Sequence, residues 1–358
     1  MEFKAPRGTS DHLPDLKANW NKIEIIARET AKSFGYNEIT TPVFEQTGLF
    51  KRAVGEGTDV VQKEMYNLTD LGGNEFTLRP EGTAPVCRAF VEHGMHNLPY
   101  PLRLFYIEPM FRHERPQSGR MRQHHQFGVE IFGDNSSEAD AEIILIGLTY
   151  LKKLGIKNLR LKLNSIGNKD SRKKFRKEFL NYFSSKKNEL PEVDKKKFDV
   201  NPIRILDSKE KVTRDLILDS PKPIEFLDDE SKQHWEKLQS IIKQMIEHFD
   251  DIDLVIDHNL VRGLDYYSMT VFEIEPVDKS EKSQASILSG GRYDNLISYI
   301  GGPETPAAGF GSGIERVMLS MDDDFFEIDC LPQLTIIPLS SKAWIKTNLL
   351  SSKLRENN

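Results

Sequence analysis

The chain has 358 residues, of which 38% are hydrophobic and 29% charged, and its formal net charge is −6. This length fits two or three folding units, and the sequence offers no apolar run near the roughly 20 residues that span a bilayer, which argues against an integral membrane protein. The acidic balance gives no overall attraction to nucleic acid, so any RNA partner requires a local basic surface.

The N-terminus and the cysteines bear on location. The first 15 residues carry Pro6, Gly8 and Pro14 and lack the apolar core of a signal peptide, so we expect a cytoplasmic protein. Cys87 and Cys330 lie far apart in different kinds of segment. This spacing argues against a disulfide framework and a structural zinc site, and it predicts two reduced thiols.

The first third of the chain predicts a helix, a strand and a hairpin. Apolar residues at positions 16, 20, 23, 27, 31 and 34 form one face of a helix that Gly35 ends. Residues 38–45 read as a strand, and Pro42 favours a sheet edge or an interface for it. Strand patterns at 64–68 and 75–79 flank a turn-rich cluster, which predicts a hairpin.

The middle of the chain is mainly helical. One helix follows Thr83, and another covers residues 137–154, opened by Ser137-x-x-Asp140 and closed by Gly155. Residues 172–249 are helical and strongly charged, which predicts an inserted subdomain. Within it, residues 171–197 hold ten Lys or Arg against four Asp or Glu. This stretch is either an RNA-binding surface or a solvated helical face. Taken alone, its charge pattern favours the solvated face.

Strand patterns return at 254–256 and 266–275, before a glycine-rich region at 290–313 and a helix from Ile314. The sheet is therefore expected to use strands from both sides of the insertion. After an acidic stretch at 322–329, a buried strand is predicted at 334–339 and a helix at 343–354. One strand and one helix cannot bury an α/β core, so residues from about 332 onward are expected to be poorly ordered or packed on another surface.

Residues 105–133 predict a long-looped antiparallel hairpin, because both ends alternate like strands while the middle contains Pro and Gly. Period-two geometry predicts that Gln126, Gly128, Glu130 and Phe132 share one face, and that Phe127, Val129 and Ile131 share the other. The apolar face is expected to pack against the core. The Gln/Glu face therefore requires a polar ligand or partner.

The same hairpin is rich in arginine. Arg112 and Glu114 are predicted to share a face of the first strand, with Arg120 and Arg122 in or near the loop. A single Arg/Glu pair would favour an edge ribbon with surface ion pairs. Four arginines within eleven positions indicate instead an anion site built from charge-assisted hydrogen bonds.

Three segments carry a family resemblance. FRHERPQSGRMRQHHQFGVEIFG resembles motif 2 of the class II aminoacyl-tRNA synthetases in its histidyl form, LVRGLDYYSMTVFEI is similar to the histidyl signature peptide, and GFGSGIERVML resembles motif 3. KAPRGTSDHLP, LRPEGT, LNSIG and GGRYDNL fit as well, so the resemblance covers about residues 4–339. It implies a class II core of the α/β (α+β) class: a mostly antiparallel sheet flanked by helices, with an inserted helical subdomain, that dimerises around Pro42.

The resemblance also implies domains. Residues 1–170 would form the first part of the catalytic core, 171–250 the inserted helical subdomain and 251–325 the second part of the core. Residues 326–358 would form a linker and the incomplete start of an anticodon-binding domain.

For the ATP end of the site, the resemblance implies two catalytic arginines. Arg112 would hold the α-phosphate and the amino-acid carboxylate, and Arg262 would contact the α-phosphate from the opposite side. The alternative for Arg262 is a surface ion pair with Asp265. Arg316 lies in the first turn of a predicted helix, where a positive charge is unfavourable because of the helix dipole. The resemblance implies that this arginine stacks on the adenine of ATP, which would explain why a cation is placed there. The implied ATP-binding residues are Arg112, Glu114, Arg120, Arg122 and Arg316.

For histidine, the resemblance implies polar recognition at both ends of the amino acid. Glu81, Thr83 and Gln126 would accept hydrogen bonds from the α-ammonium group, while Glu130 and Tyr267 would pair with the ring nitrogens. Such a pocket rejects isosteres that lack those nitrogens, so no editing domain is required. The implied histidine-binding residues are Glu81, Thr83, Gln126, Glu130, Arg262, Tyr266, Tyr267 and Tyr293. Taken alone, Tyr266 and Tyr267 favour cross-strand packing.

The implied reaction is the adenylation of L-histidine with ATP, assisted by Mg2+, followed by transfer to tRNA(His) in a homodimer. No metal-binding side chain is assigned. The alternatives are a non-catalytic paralogue, such as the regulatory subunit of ATP phosphoribosyltransferase, and a histidine sensor. The end of the chain before a full anticodon module favours the paralogue, while Arg112, Arg262 and Arg316 together favour the enzyme.

Overall fold

The computed structural model describes residues 3–277, 286–321 and 334–356. The chain forms two compact units, residues 1–325 and 326–358. The strands are β1 (Asn37–Glu38), β2 (Phe44–Gln46), β3 (Tyr66–Thr69), β4 (Glu75–Leu78), β5 (Leu102–Phe111), β6 (Gln123–Phe132), β7 (Leu159–Gly167), β8 (Ile252–Ile256), β9 (Ser268–Pro276), β10 (Leu288–Arg292) and β11 (Ala307–Gly313).

The α-helices of the first unit surround these strands, and the second unit contributes α11. They are α1 (Pro14–Ser33), α2 (Thr47–Val54), α3 (Thr83–Glu92), α4 (Ser137–Lys153), α5 (Lys169–Phe183), α6 (Glu192–Val200), α7 (Lys211–Leu218), α8 (Asp229–Ile246), α9 (Leu296–Tyr299), α10 (Ile314–Leu319) and α11 (Ser341–Glu356). Within the described residues, no helix is long and apolar enough to cross a membrane.

An eight-stranded sheet in the order β1-β5-β6-β11-β10-β9-β7-β8 dominates the first unit, beside a three-stranded sheet in the order β2-β4-β3. Every neighbouring pair is antiparallel except β1 with β5 and β7 with β8. The predicted mostly antiparallel sheet is thus confirmed. The prediction that its strands come from both sides of the insertion is also confirmed.

Helix α4 covers one face of the large sheet. It packs against β6, β10 and β11 and is flanked by α1 and α8. Phe127 of β6 meets Tyr150 of α4 with ring centroids 4.8 Å apart, and Phe310 of β11 at 5.5 Å. This aromatic layer confirms that the odd-numbered face of β6 packs, and it leaves the even-numbered face for the site.

Several predicted elements stand where expected. Helix α1 buries Trp20, Ile23, Ala27 and Ala31 and is followed by Gly35 at φ +81°. The hairpins β3–β4 and β5–β6, helices α3 and α10, and the helix at the end of the chain are confirmed.

Two predictions near strand ends are wrong. Residues 38–45 form two short strands instead of one. The backbone N–H of Thr41 donates a hydrogen bond to the Glu108 carboxylate, and its carbonyl accepts one from Arg79. Side chains therefore replace the ladder at this point. Strand β5 ends at Phe111, so Arg112 and Glu114 lie in the loop and not on the strand.

Two further predictions are corrected. The cap of α4 is Ser136, whose hydroxyl accepts from the N–H of Ala139, and not Ser137. Residues 334–339 form no strand, and Leu334, Ile337 and Leu339 are exposed. An extended segment without a ladder partner has no hydrogen bonds to hold it as a strand. The acidic stretch 322–329 and Cys330 lie outside the described residues, while Cys87 is a buried free thiol.

Candidate active site

The even-numbered face of β6 forms the floor of the candidate active site, and glycines on β6 and on the neighbouring strand β11 make room for the side chains there. A Cβ on Gly309 of β11 would lie 1.8 Å from Glu130 Oε2, and one on Gly311 would lie 2.1 Å from Gln126 Nε2. A Cβ on Gly128 would lie 2.0 Å from the Tyr106 ring. These glycines therefore allow a layer of polar side chains to lie flat on the sheet.

Glu130 is the centre of a fully buried network. Its Oε1 accepts from Thr83 Oγ1 at 2.8 Å and lies 3.4 Å from the Tyr106 hydroxyl, while its Oε2 accepts from the Tyr293 hydroxyl. Burial is the main cause that raises the pKa of Glu130 to about 8, and the carboxylate of Glu81 adds to the rise. This carboxyl group therefore gains or loses its proton near neutral pH.

Glu81 lies just before α3 and satisfies the open end of that helix. Its two oxygens each accept a backbone N–H, from Thr83 and from Ala84, at 2.9 Å. The Tyr266 hydroxyl lies 3.5 Å from Glu81 Oε2. Burial raises the pKa of Glu81, and the two backbone hydrogen bonds oppose that rise.

Three tyrosines form the wall of the site. The ring centroids of Tyr266 and Tyr267 are 4.7 Å apart, and those of Tyr266 and Tyr293 are 5.6 Å apart. All three rings are buried in one apolar cluster that includes Phe90 and Leu296. The structure thus brings together the carboxylates and tyrosines predicted for histidine.

Arg262 lies at the other end of the tyrosine wall, with its guanidinium carbon 5.8 Å from the Tyr267 ring centroid. It donates to Glu273 of β9 and, at 2.7 Å, to Ser289 Oγ of β10. Its buried Nε has no hydrogen-bond partner among the described residues. The alternative ion pair with Asp265 is wrong, since Glu273 is the partner.

The remaining arginines surround the loop between β5 and β6. Arg112 Nε donates to the carbonyl of Pro80 at 2.7 Å, and Glu114 lies 3.9 Å from Arg112 and 3.4 Å from Arg120. Arg122 Nε donates to the Glu114 carbonyl at 3.3 Å. Glu114 and the nearby Glu64 partly compensate Arg112 and Arg120, and the clustered arginines suit an anionic ligand.

Arg316 connects this loop to α10. Its Nε donates to the Gly119 carbonyl at 3.0 Å and its Nη1 to the Ser286 carbonyl at 2.9 Å. Burial, followed by repulsion from Arg120, lowers its pKa. The five residues predicted for ATP therefore converge on one loop and one helix start.

Four residues of the site were not predicted: Tyr106, His124, Glu273 and Ser289. Burial, and then Arg112 and Arg316, lower the pKa of His124 to about 3, so its imidazole is neutral beside the arginines. Its even number placed it on the polar face of β6, so period-two geometry could have found it. Tyr106 pairs with Gly128 across the hairpin, and this register was not available from one strand alone.

Comparison with known proteins decides the family. The family model for histidyl-tRNA synthetase matches residues 8–317. A histidine–tRNA ligase of Caldanaerobacter subterraneus subsp. tengcongensis is 44% identical over 359 residues, which cover 100% of this chain and 84% of that relative. The chain belongs to the histidyl-tRNA synthetase family. A second ligase, from Geobacillus thermodenitrificans, is 42% identical and is covered to 83%.

Solved structures agree with this family. The apo histidyl-tRNA synthetase of S. aureus matches with a TM-score of 0.79 and 32% identity, covering 100% of this chain and 84% of that one. A Bacillus halodurans protein described as an ATP phosphoribosyltransferase regulatory subunit/histidyl-tRNA synthetase matches with a TM-score of 0.70 at 23% identity, which shows the fold alone. None of these matches favours the regulatory alternative over the ligase.

Proposed function

We propose that this site performs both steps of the family reaction, in which histidine and ATP form histidyl-adenylate and the histidyl group then passes to tRNA(His). One chain of contacts supports this proposal. Arg262 faces Tyr267, Tyr267 packs on Tyr266, and Tyr266 reaches Glu81. The aromatic wall thus has a cationic end and a carboxylate end. In histidyl-adenylate formation the cationic end would face the reacting carboxylate and phosphate, and the carboxylate end would face the ammonium group and the imidazole.

In this proposal the carboxylate end recognises histidine. Glu81, Thr83 and Gln126 accept hydrogen bonds from the α-ammonium group, while Glu130 and Tyr267 pair with the imidazole. A protonated Glu130 donates to a bare ring nitrogen and an ionised one accepts from a ring N–H. With a pKa of about 8 both forms are accessible near neutral pH. Tyr293 holds this carboxyl group in place.

The cationic end acts on the phosphates. Arg112 and Arg262 stabilise the negative charge that builds up at the α-phosphate as the histidine carboxylate attacks and pyrophosphate leaves. Arg120, Arg122 and Glu114 hold the rest of the nucleotide, and Arg316 stacks on the adenine. Fixed donors in a partly buried site stabilise such charge more strongly than water does.

Mg2+ is part of the proposal as a companion of ATP. Among the described residues, no group of three or more His, Cys, Asp or Glu could hold a metal. Mg2+ usually keeps several waters and is bound through one or two carboxylates plus substrate phosphates, so this site fits an ion carried mainly by ATP. The ion would neutralise phosphate charge, and no side chain is assigned to it.

A homodimer and a cytoplasmic location complete the proposal. An open groove of about 880 Å³ runs beside Pro42 and is lined by residues that include Thr41, Leu49, Arg52 and His93. Val43, next to it, is 41% exposed. We propose that a second copy covers this surface. Sedimentation should give twice the monomer mass for the parent and a shift toward monomer for Val43→Asp; an unchanged mass would contradict this interface.

Calorimetric titration with histidine tests the carboxylate end. Glu130→Ala should weaken histidine binding by at least about tenfold, the scale for losing a hydrogen bond to a charged group. The matched control is Glu138→Ala, whose exposed carboxylate pairs with Lys237 on the far side of α4. Equal affinity in Glu130→Ala would remove Glu130 from the pocket.

A further inference from the structure

The loop that connects β8 to β9, residues 257–267, carries Arg262, Tyr266 and Tyr267 and is held from outside the site. The structure that holds it is the helical lobe, which we define as residues 169–226. This lobe has its own apolar core, formed by the side chains Phe175, Phe179, Phe183, Leu190, Phe198, Ile205, Leu206 and Ile217. Val261 packs against this core and also against the core that contains the pocket tyrosines.

Arg172 of α5 makes the most direct connection. Its Nη1 donates to the backbone carbonyl of Tyr267 at 2.7 Å and to that of Asp265 at 3.2 Å. Burial lowers the pKa of Arg172, which reflects the cost of desolvating its charge. One donor atom shared by two carbonyls two residues apart fixes the direction of the peptide planes around Tyr266.

Other contacts from the lobe hold the same loop. Asn201 Nδ2 donates to Asp265 Oδ1 at 3.1 Å, and Lys222 Nζ donates to Asn259 Oδ1 at 2.9 Å. On its other side, the N–H of Asp265 donates to the carbonyl of Val54 at 3.1 Å. Three separate segments of the lobe thus reach one loop, which an incidental surface contact would not require.

The backbone beyond this loop is strained. Met269 has φ +51°, in the left-handed region that a residue with a long side chain rarely adopts. The ladder between β7 and β9 shifts register at this point. Such strain persists only where the surroundings over-determine the conformation. Met269 is held by its ladder partner Gly167 and by a contact from Ser231, and the hydrogen bond from Arg172 holds the backbone two residues before it, at Tyr267.

We propose that Arg172 is a positioning residue for the active site: it holds the backbone at residues 265–267 so that the Tyr266 and Tyr267 rings stand in the histidine pocket. Among the described residues, the hydrogen bonds of the Arg172 side chain go to two backbone carbonyl groups and to no pocket side chain. This inference rests on the proposed function, because it assigns those rings to histidine. Histidine binding should therefore be more sensitive to Arg172 than ATP binding, whose main residues lie on the β5–β6 loop and α10.

The test compares three variants on α5 by histidine-dependent ATP–pyrophosphate exchange and by calorimetric titration with histidine. Arg172→Met removes the donor and keeps an unbranched chain, Arg172→Lys keeps one cationic donor, and Lys169→Met changes an exposed cation on the same helix. We expect the KM for histidine to rise about tenfold in Arg172→Met and the KM for ATP to change less than about threefold. Arg172→Lys should recover part of the loss, and Lys169→Met should match the parent.

Two results would overturn the proposal. One is a KM and a Kd for histidine in Arg172→Met that stay within about twofold of the parent, which lies below the scale of one charged hydrogen bond. The other is an equal loss for both substrates, in step with a lower melting temperature and without recovery in Arg172→Lys, which indicates a purely structural role. If the parent itself shows no exchange, the proposed function fails, and the calorimetric Kd values still decide the role of Arg172.

Discussion

Arg262 has partners on β9 and β10 and, in the part of the chain that the structure describes, one buried donor atom left over. It neutralises Glu273, it contacts Ser289, and its buried Nε remains without a partner among the described residues. A buried donor without a partner is costly. We interpret this arrangement as a guanidinium held in readiness for an anionic oxygen.

Arg262→Ala should lower the rate of adenylation by at least about a hundredfold while histidine affinity stays within several-fold of the parent, the pattern for removing one transition-state interaction. Pyrophosphate exchange and histidine titration on the same preparation measure the two effects. Arg160→Ala, which removes a cation paired with Asp253 at the far edge of the sheet, is the control. A change confined to the Michaelis constants would argue against the transition-state role.

Glu130 makes stability depend on pH. Its pKa rises from 4.5 to about 8 on folding, so between these values the folded chain binds more protons at this site than the unfolded chain. Its contribution to stability is complete below pH 4.5 and is lost as pH rises through about 8. Denaturant unfolding of the ligand-free parent, compared with Glu130→Gln, should show this decline in the parent only. A parallel pH profile in both proteins would contradict the raised pKa.

The individual site residues were predicted mainly through the family resemblance. The polar face of β6 was the exception, since alternation alone identified Gln126 and Glu130. Glu273, the ion-pair partner of Arg262, was not predicted, because it lies on β9 and only the fold brings the two side chains together. A contact that depends on how a loop closes on a strand cannot be inferred from spacing along the chain.

At the scale of elements, the pairing of β6 with β11 shapes the histidine pocket. The register places Gly309 opposite Glu130 and Gly313 opposite Gln126. The helix predicted to follow the glycine-rich region is present. The sequence did not show what the glycines do, because their role in packing depends on the register between β6 and β11. The glycine-rich region thus allows the close packing of polar side chains.

Gly309→Ala should impair histidine activation, because its Cβ would lie 1.8 Å from Glu130 Oε2 and would displace that carboxyl group. We expect the KM for histidine to rise at least about tenfold, in line with overpacking of a close-packed site. Gly313→Ala is the matched control on the same strand, since its Cβ would meet nothing nearer than 3.8 Å. Similar constants for the two variants would show that Glu130 can move without loss.

Among the elements, strand ends were the least predictable. Residues 38–45 have the composition of one strand, yet the buried pair Arg79–Glu108 competes for the backbone of Thr41. Residues 334–339 have an apolar pattern but pair with no strand among the described residues. In both cases the pattern was correct for a buried strand, and long-range partners determined whether one formed.

At the scale of the molecule, the sequence predicted the layers of the fold and the use of strands from both sides of the insertion. It did not predict the strand order, which depends on pairings between segments far apart along the chain. The basic stretch 171–197 is the other long-range feature, because its role depends on what approaches the helical lobe. Helix α5 exposes cations at positions 173, 174, 176 and 177.

This exposed face of α5 should contact tRNA phosphates. Changing residues 173, 174 and 177 to glutamine should raise the KM for tRNA and reduce its dependence on salt, by a slope of about 0.7–0.9 for each phosphate that is no longer neutralised. Pyrophosphate exchange should be unaffected, since it needs no RNA. A variant with the same charge change at the exposed lysines 32, 153 and 243 is the control. Equal salt slopes for both variants would assign α5 to the solvated-face alternative.

Histidine-dependent ATP–pyrophosphate exchange tests most directly whether the candidate active site activates histidine. With the full chain, ATP, Mg2+ and labelled pyrophosphate, we predict exchange that requires histidine and that is lost in Arg112→Ala. Calorimetry on the same preparation shows whether histidine binds. Histidine binding without exchange, under conditions in which the S. aureus enzyme turns over, would contradict the account and favour a regulator or sensor.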